Sequence, residues 1–587
     1  MHYSFSVLKM NKPEYEIVEE RDVYITMRDG VRLAVNIFRP KAEKRFPVLL
    51  SMGPYGKDIQ DLLIPPQPLY ESAFWDGNIE AGDIEYFVPR GYVHIIADVR
   101  GTGKSEGEYT FWSMQEGRDG YDLVEWIAQQ PWSNGNVGMF GYSYYAATAL
   151  KTAVYQPPHL KAIFVSHVYT DAYRDLAYHG GVLSLFLYHL WYGRHAGLTC
   201  GFAPRNAVSE MMKLLPKEEL ERRVKELLNN PDIKYYTMLY HLLHYPQKCP
   251  IFFDIMLNPF DGPYWREKSI YPFFDKIKIP VYIVGKQAHE ARAFWYLYMN
   301  VNTTKKLLVK PVGPEERPWR EDREEALRWF DYWLKGIDTG IMDEPPIKVF
   351  VMGTNEWRYL TEWPPSNIKW VKCYFRRWEW LSFAPELDYP EPDCYLYRPL
   401  WLSNKRDCVQ YMTPPLPGDL EVMGPVAVHF YASIDQDDTN WIVRLYDIAP
   451  NGKATRLGRG YLKASHRAID QEKSKPGEPY HPHTFSEPVE PGKIYEYAIG
   501  LGIVVNVFKS GHRIKLEIES AESPKDPEMQ IHFHPHLCSS KITLHKIYRN
   551  KDYQSHILLP VVPKPSYEKV IETLSDDNYF TKSEWFH

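Results

Sequence analysis

The sequence predicts a doubly wound, mostly parallel α/β domain, interrupted by a helical insertion and followed by an antiparallel β jelly roll. Three observations predict it. Apolar strand-like runs alternate with helix-like segments through the first 165 residues, the pattern of a parallel sheet covered by helices on both faces. From Ser166 to Phe274 that alternation gives way to aromatic and charged helical segments. Beyond Pro345 and Pro346 come many short alternating runs separated by turn residues, as in an antiparallel sandwich.

In chain order, Val23–Met27 and Leu33–Phe38 read as β-branched alternating strands around the turn Arg28-Asp29-Gly30. Val48–Met52, Val93–Ala97 and Val137–Phe140 are short apolar runs bounded by Gly and Pro, suited to strands buried on both faces. Tyr121–Ala128 has helical periodicity, and Ala146–Tyr155 reads as a helix that stops before Pro157 and Pro158. These elements define the first part of an α/β domain, residues 1–165. Residues 166–274 form a helical cap, with an aromatic segment Tyr178–His195 and a charged helix Lys217–Leu228. The α/β domain resumes over 275–344 with strands at Ile279–Val284 and Leu307–Lys310 and a helix at Arg323–Lys335. The jelly roll occupies 345–587, with strands at Ile347–Met352, Val426–Tyr431, Trp441–Tyr446, Ile514–Ile518 and Ile542–His545.

Composition excludes several function classes. A net charge of -6 over 587 residues, with no basic tract, argues against a nucleic-acid partner. No run of about 18 apolar residues offers a membrane span. Met1–Tyr15 lacks the apolar core of a signal peptide, so a cytoplasmic protein is expected. Six scattered cysteines without a CxxC pair are expected to be buried thiols rather than a disulfide framework.

The most informative stretch runs from Val137 to Ala146. A buried strand enters Gly141-Tyr142-Ser143 and leaves as a helix, an arrangement that lifts Ser143 above the sheet on a tight turn. Such a turn needs small neighbours, and Gly141 supplies one, whereas Tyr145 departs from the simple GxSxG pattern. Met52–Asp58 follows an apolar strand, and a tyrosine there, Tyr55, could donate to an oxyanion beside the backbone amide of Tyr144. Asp98–Gly107 ends in Gly103-Lys104-Ser105, but a phosphate loop needs glycine at position 98 and a helix after Ser105, and neither is present.

Several of these segments together resemble the cocaine esterase and X-Pro dipeptidyl-peptidase family, the CocE/NonD or S15-like α/β-hydrolases. The matching residues are Arg28–Leu33, Pro54-Tyr55, Asp98–Gly107, Gly120–Asp122, Gln130–Gly141 running on to Ser143-Tyr144, Pro158–Ala162 and, in the jelly roll, Phe508–Leu516. The resemblance covers nearly the whole chain. It implies the α/β-hydrolase fold with a cap and a C-terminal jelly roll. It also implies cleavage of a small acyl ester, amide or peptide by Ser143, with Tyr55 and the Tyr144 backbone as oxyanion donors and no cofactor or metal. Members of the family often self-associate, so a homo-oligomer is possible.

Two departures qualify this expectation. Where the family carries its triad aspartate in a Gly-Gly-Trp-x-Asp pattern, this chain reads Gly285 to Glu290, with His289 at the aspartate position. Where the family carries its histidine in Gly-Pro-Trp-x-His, this chain has Pro314. A serine hydroxyl is a weak nucleophile without a base, and losing one triad member costs several orders of magnitude in rate. Three readings stay open. His289 acts directly as base, oriented by Glu290, Glu315 or Glu316. The scaffold has become a non-catalytic ligand-binding or assembly protein. Or a partner chain or the substrate supplies the base.

Other constellations are weaker. His532, His534 and His536, and likewise His481 and His483, alternate as on one strand face, and are expected to be surface histidines rather than zinc ligands. Asp435–Asp438 is expected to be a turn rather than a calcium loop. Phe186–Trp191 could line a cleft or pack within the cap.

Overall fold

The computed structural model describes residues 12–63, 67–68, 79–191, 206–287, 291–313, 316–317, 319–399, 402, 407–522 and 536–580. The first body is a ten-stranded sheet. Its strands in chain order are β1 (Ile17–Thr26), β2 (Arg32–Pro40), β3 (Phe46–Gly53), β4 (Val93–Asp98), β5 (Ser133–Tyr142), β6 (Leu160–Ser166), β7 (Val281–Lys286), β8 (Lys305–Lys310), β9 (Ile347–Val351) and β10 (Glu356–Leu360). Their spatial order is β1-β2-β4-β3-β5-β6-β7-β8-β9-β10. Every pairing from β4 through β9 is parallel, while β1, β2 and β10 attach antiparallel at the edges. β3, β4 and β7 are buried along their whole lengths, which explains why they read as unbroken apolar runs.

Helices α1 (Gln115–Ala128), α2 (Tyr144–Val154), α3 (Ala291–Asn300) and α4 (Arg323–Lys335) cover this sheet. Leu50, Met139, Ile163 and Ile283 face the cluster that holds α2 and the cap. Leu49, Phe140, Phe164 and Tyr282 face Trp329 and Phe330 of α4 in a second cluster. The alternation along each strand therefore fills two separate apolar layers, as a doubly wound sheet requires.

The insertion after β6 opens with the π-helical turn Ala172–Ala177 and the hairpin Tyr178–His179/Val182–Leu183. It continues as short helices, among them Lys217–Asn229, Thr237–His244 and Pro250–Leu257. In the segment Phe186–Trp191, Tyr188 is buried edge-on to Phe252, so this aromatic packs within the cap.

Ile347–Val351, expected to begin the sandwich, instead pairs in parallel with β8 and turns into β10, extending the first sheet. Its alternating burial is the same on either sheet, so periodicity alone could not assign it. The second, antiparallel sheet system starts at Lys369–Arg376. It is organised around the long strand Leu420–Ile434, which pairs with Tyr495–Phe508, His556–Val562 and Thr543–Tyr548. A doubly wound α/β sheet, a helical insertion and an all-β C-terminal jelly roll are thus the architecture, as the sequence leads one to expect.

The two bodies are stitched together. The Met352 amide donates to Val505 O and the Val507 amide to Met352 O, at 3.1 and 2.9 Å. Trp295 of α3 stacks on Trp363 at 3.8 Å. The hairpin of the insertion accepts Lys463 N–H at Gly180 O and Leu537 N–H at Leu183 O. Among the described residues no helix is long and apolar enough to cross a membrane, and the five described cysteines form no disulfide with one another. Cys249 and Cys373 are buried, whereas Cys394 is exposed, which burial as a small hydrophobe did not anticipate.

Candidate active site

The turn between β5 and α2 forces Ser143 to φ 54°, ψ -111°, a region that side-chain-bearing residues rarely occupy. A residue held there costs on the order of 1–3 kcal/mol, and such strain persists only where the surroundings over-determine it. Here they do. The Ser143 amide donates to Ser166 O on β6 at 2.9 Å, and Ser143 O accepts the Ala147 amide at 3.1 Å to start α2. A Cβ on Gly141 would come within 2.2 Å of Tyr145 Cβ and 2.9 Å of its backbone carbon, so only glycine fits two residues before the serine. Ser143 itself is partly exposed at the C-terminal edge of the sheet, where ligands of open α/β sheets bind.

Tyr144 opens α2, and its amide has no acceptor within the helix. Its side chain points into the core. The hydroxyl donates to Glu116 Oε1 at 2.5 Å and pairs with Tyr109 Oη at 2.8 Å. Burial first, and then the Glu116 carboxylate, push this phenol well above its ordinary pKa. Glu116 also accepts the Lys151 ammonium at 2.8 Å, both side chains being almost wholly buried. Burial pulls Lys151 below its usual pKa despite that partner. Only the backbone of Tyr144 is therefore offered to the space above the turn.

Tyr55 lies in the loop after β3. Its ring meets Tyr144 edge-on at 6.0 Å and is tilted against Tyr145 at 6.2 Å. Tyr55 thus packs against the two residues that follow Ser143 in the chain. His289, Glu290, Pro314 and Glu315 lie outside the described residues, as do His532 and His534. Glu316 belongs to a short bridge, Glu316–Arg317, paired with Gln67–Pro68.

Several groups near the turn were not singled out from sequence. His167 directly follows β6, at φ 53° and buried. Its ring stacks on Tyr142 at 4.3 Å, its Nδ1 is 3.0 Å from Ser166 Oγ, and its amide donates to Val284 O. The signal available was its place at the end of a buried strand. Gln287 follows β7. Its carboxamide donates to Phe350 O at 2.6 Å and accepts the Val505 amide at 3.2 Å. Arg292 on α3 donates to Asp175 at 2.7 Å, while Arg174 reaches Asp261 and the carbonyls of His481 and Pro482.

The Gly103-Lys104-Ser105 segment is engaged by groups of the chain itself. Ser105 Oγ donates to Asp98 O and accepts the Ala34 amide, and no helix follows. A cavity of about 280 Å³ lined by Ile17, Phe38, Gln60, Asp83 and Arg320 lies toward the β1–β2 edge, and none of the turn residues lines it.

The histidines of the jelly roll correct the surface expectation. His536 is buried, with Nδ1 2.8 Å from Glu522 Oε2 and Nε2 2.8 Å from His179 Nδ1 on the insertion. His481 and His483 are buried too, and His481 sits between the carbonyls of Ala468 and Ala498. The carboxylate partner missed from sequence was Glu522. No group of three metal-ligating residues occurs among the described residues. Asp435 and Asp438 accept the amides of Leu544 and of Thr439 and Ser465 respectively, which makes that stretch a turn.

Comparison with known proteins adds the following. Residues 29–313 match the family described as X-Pro dipeptidyl-peptidase (S15 family), and residues 339–558 match the X-Pro dipeptidyl-peptidase C-terminal non-catalytic domain. The chain is 26% identical to a cocaine esterase of Rhodococcus sp. over 606 residues, covering 92% of this chain and 98% of that one. Among solved structures, a CocE/NonD family hydrolase from Staphylococcus aureus superposes with a TM-score of 0.74 at 23% identity, covering 96% and 99% of the two chains. An α-amino acid ester hydrolase superposes with a TM-score of 0.70 at 18% identity, covering 95% and 98%. These likenesses extend across both bodies of the molecule.

Proposed function

The chain belongs to the X-Pro dipeptidyl-peptidase (S15) family of serine hydrolases, and from that premise we propose that Ser143 cleaves a small acyl ester or amide through a rearranged proton relay. The observation that carries the proposal is the backbone of Ser143, held at φ 54°, ψ -111° on a partly exposed turn. A serine that served only as a loop residue would not need that conformation.

In this reading Ser143 Oγ attacks the acyl carbon while His289 takes its proton, oriented by Glu290. The Tyr144 amide and the Tyr55 hydroxyl donate to the developing oxyanion, each contributing about 3–4 kcal/mol in acyl transfer. His289 returns the proton to the leaving alcohol or amine, and water then releases the acyl group by the same steps in reverse. The likeness to a cocaine esterase supports an ester substrate, and the family models support an amide after proline.

A second reading is favoured by Pro314, which stands where the family carries its histidine and can neither accept nor return a proton. The scaffold would then bind a ligand or partner without turnover. Labelling with a fluorophosphonate probe separates the two. The hydrolase reading expects label at Ser143 that is absent from Ser143→Ala. Folded wild-type protein that takes no label and does not hydrolyse p-nitrophenyl acetate or butyrate would leave the binding role.

A further inference from the structure

Asp98 ends β4 in register with Gly53, the last residue of β3. Its carboxylate is 1% exposed and divides its two oxygens between two loops. Oδ1 accepts the Lys57 amide at 2.6 Å, and Oδ2 accepts the Lys104 amide at 3.0 Å. The second loop is shaped around this group. Gly103 adopts φ 48°, and a Cβ there would lie 2.1 Å from Asp98 Oδ2. Lys57 is fully buried and donates from Nζ to Asp22 and Asp58 at 2.5 and 2.7 Å. Lys104 reaches the same two carboxylates. Asp22 stands at the bulge of β1, where the register with β2 shifts. Three separate stretches of chain therefore converge on one charged knot, with Asp98 at its buried centre.

Tyr55 is two residues from the amide that Asp98 holds, on the only described connection between β3 and that anchor. We propose that Asp98 is a positioning residue for the oxyanion donor, fixing the Gly53–Lys57 loop so that the Tyr55 hydroxyl stays in place over the Ser143 turn. The inference rests on the reading of Tyr55 as an oxyanion donor. A donor acts only when it sits about 2.7–3.1 Å from the oxyanion, and misplacing a catalytic group by about 1 Å can cost up to a hundredfold in rate. Backbone amide donors bonded to a carboxylate are stronger than those bonded to a neutral acceptor, which accounts for an acid rather than an amide at this position. The burial of the carboxyl is a cost to its ionised form, and lifts it to about 6 even with both amides attached.

The test is Asp98→Asn, which keeps size and one acceptor oxygen but turns an NH2 group toward one of the two amides. Two readouts are taken on the full chain. One is amide hydrogen exchange of peptides spanning 53–58 and 143–147. The other is kcat and KM for p-nitrophenyl butyrate. The expected result is faster exchange confined to 53–58, with kcat lowered about tenfold and KM within about twofold, as loss of transition-state contact alone requires. Unchanged exchange at 53–58 overturns the proposal, as does equal loosening of the Ser143 turn. Wild-type protein that neither hydrolyses the ester nor takes fluorophosphonate label at Ser143 sinks the Ser143 reading separately, and the exchange comparison then decides the Asp98 clamp by itself. Should Asp98→Asn fail to fold, Gly103→Ala, which crowds the same carboxylate from the other loop, is expected to give the same exchange pattern. Exchange at 53–58 unchanged in Gly103→Ala would likewise overturn the proposal.

Discussion

The amide of Ser143 donates to the carbonyl of Ser166 at 2.9 Å, so the strained turn at Ser143 is tied to the neighbouring strand at the residue where it bends. That bond keeps the strained conformation of Ser143 from relaxing into the helix it precedes.

Relieving the strain should therefore trade function for stability. Ser143→Gly can adopt φ 54°, ψ -111° without penalty, and is expected to raise the unfolding free energy by about 1 kcal/mol, within the range for such outliers. Ser143→Ala is expected to leave stability close to wild type, since it keeps the Cβ. Both should abolish fluorophosphonate labelling. Urea denaturation followed by tryptophan fluorescence distinguishes them, and equal midpoints for the two variants would argue that the turn is unstrained.

The Glu116–Lys151 pair beneath Tyr144 is buried at both ends, so removing one partner strands a charge. Lys151→Met is expected to destabilise by about 3–5 kcal/mol, and Glu116→Gln combined with it should recover much of that loss. Additive losses in the double variant would show that the two groups do not act as a pair.

Acid should weaken the fold. Burial holds His94, His179 and His545 down to about 3, against an ordinary value of 6.5. Between those values the unfolded chain takes up protons that the native imidazoles refuse, so stability is present above pH 6.5 and drains away as pH falls toward 3. Asp98 and Asp254 act in the opposite sense. Burial lifts both to about 6, so the native state keeps protons there that the unfolded chain has released, and stability gains as pH drops from 6 toward 4. Three imidazoles displaced further than two carboxyls set the sign. The urea midpoint is expected to be lower at pH 5 than at pH 7, and a midpoint that rises on acidification would contradict this balance.

Gln287→Ala removes two hydrogen bonds at the end of β7, one to Phe350 of β9 in the same sheet and one to Val505 of the C-terminal body. It also leaves the Phe350 carbonyl and the Val505 amide without those partners, at a cost of about 1–3 kcal/mol. Proteolysis at the junction should accelerate, and labelling of Ser143 should slow. Labelling at the wild-type rate would show that the loop after β7 does not depend on this anchor.

Much of the architecture was legible because parallel strands buried on both faces leave continuous apolar runs, as in β3 and β4. Their ends were less legible. β5 begins at Ser133, four residues before the apolar run, because Ser133 pairs with Phe46 across a polar irregularity, Asn134 to Asn136, that precedes the pair of Val137 with Val48. The turn at Ser143 was legible from Gly141, whose missing side chain has a steric cause. The role of Asp98 was not, since its partners are backbone amides and an amide carries no trace of residue type. His536 read as a surface residue because its partners Glu522 and His179 lie 14 and 357 residues away along the chain.

The bond between Gln287 and Val505 joins positions 218 residues apart. It means that the C-terminal sandwich helps to hold the loop that follows β7, and is not cargo carried behind the first sheet. Hybrids made by swapping sandwiches among relatives would have to match this seam to keep the loop in shape, so the two bodies are expected to change together as lineages diverge.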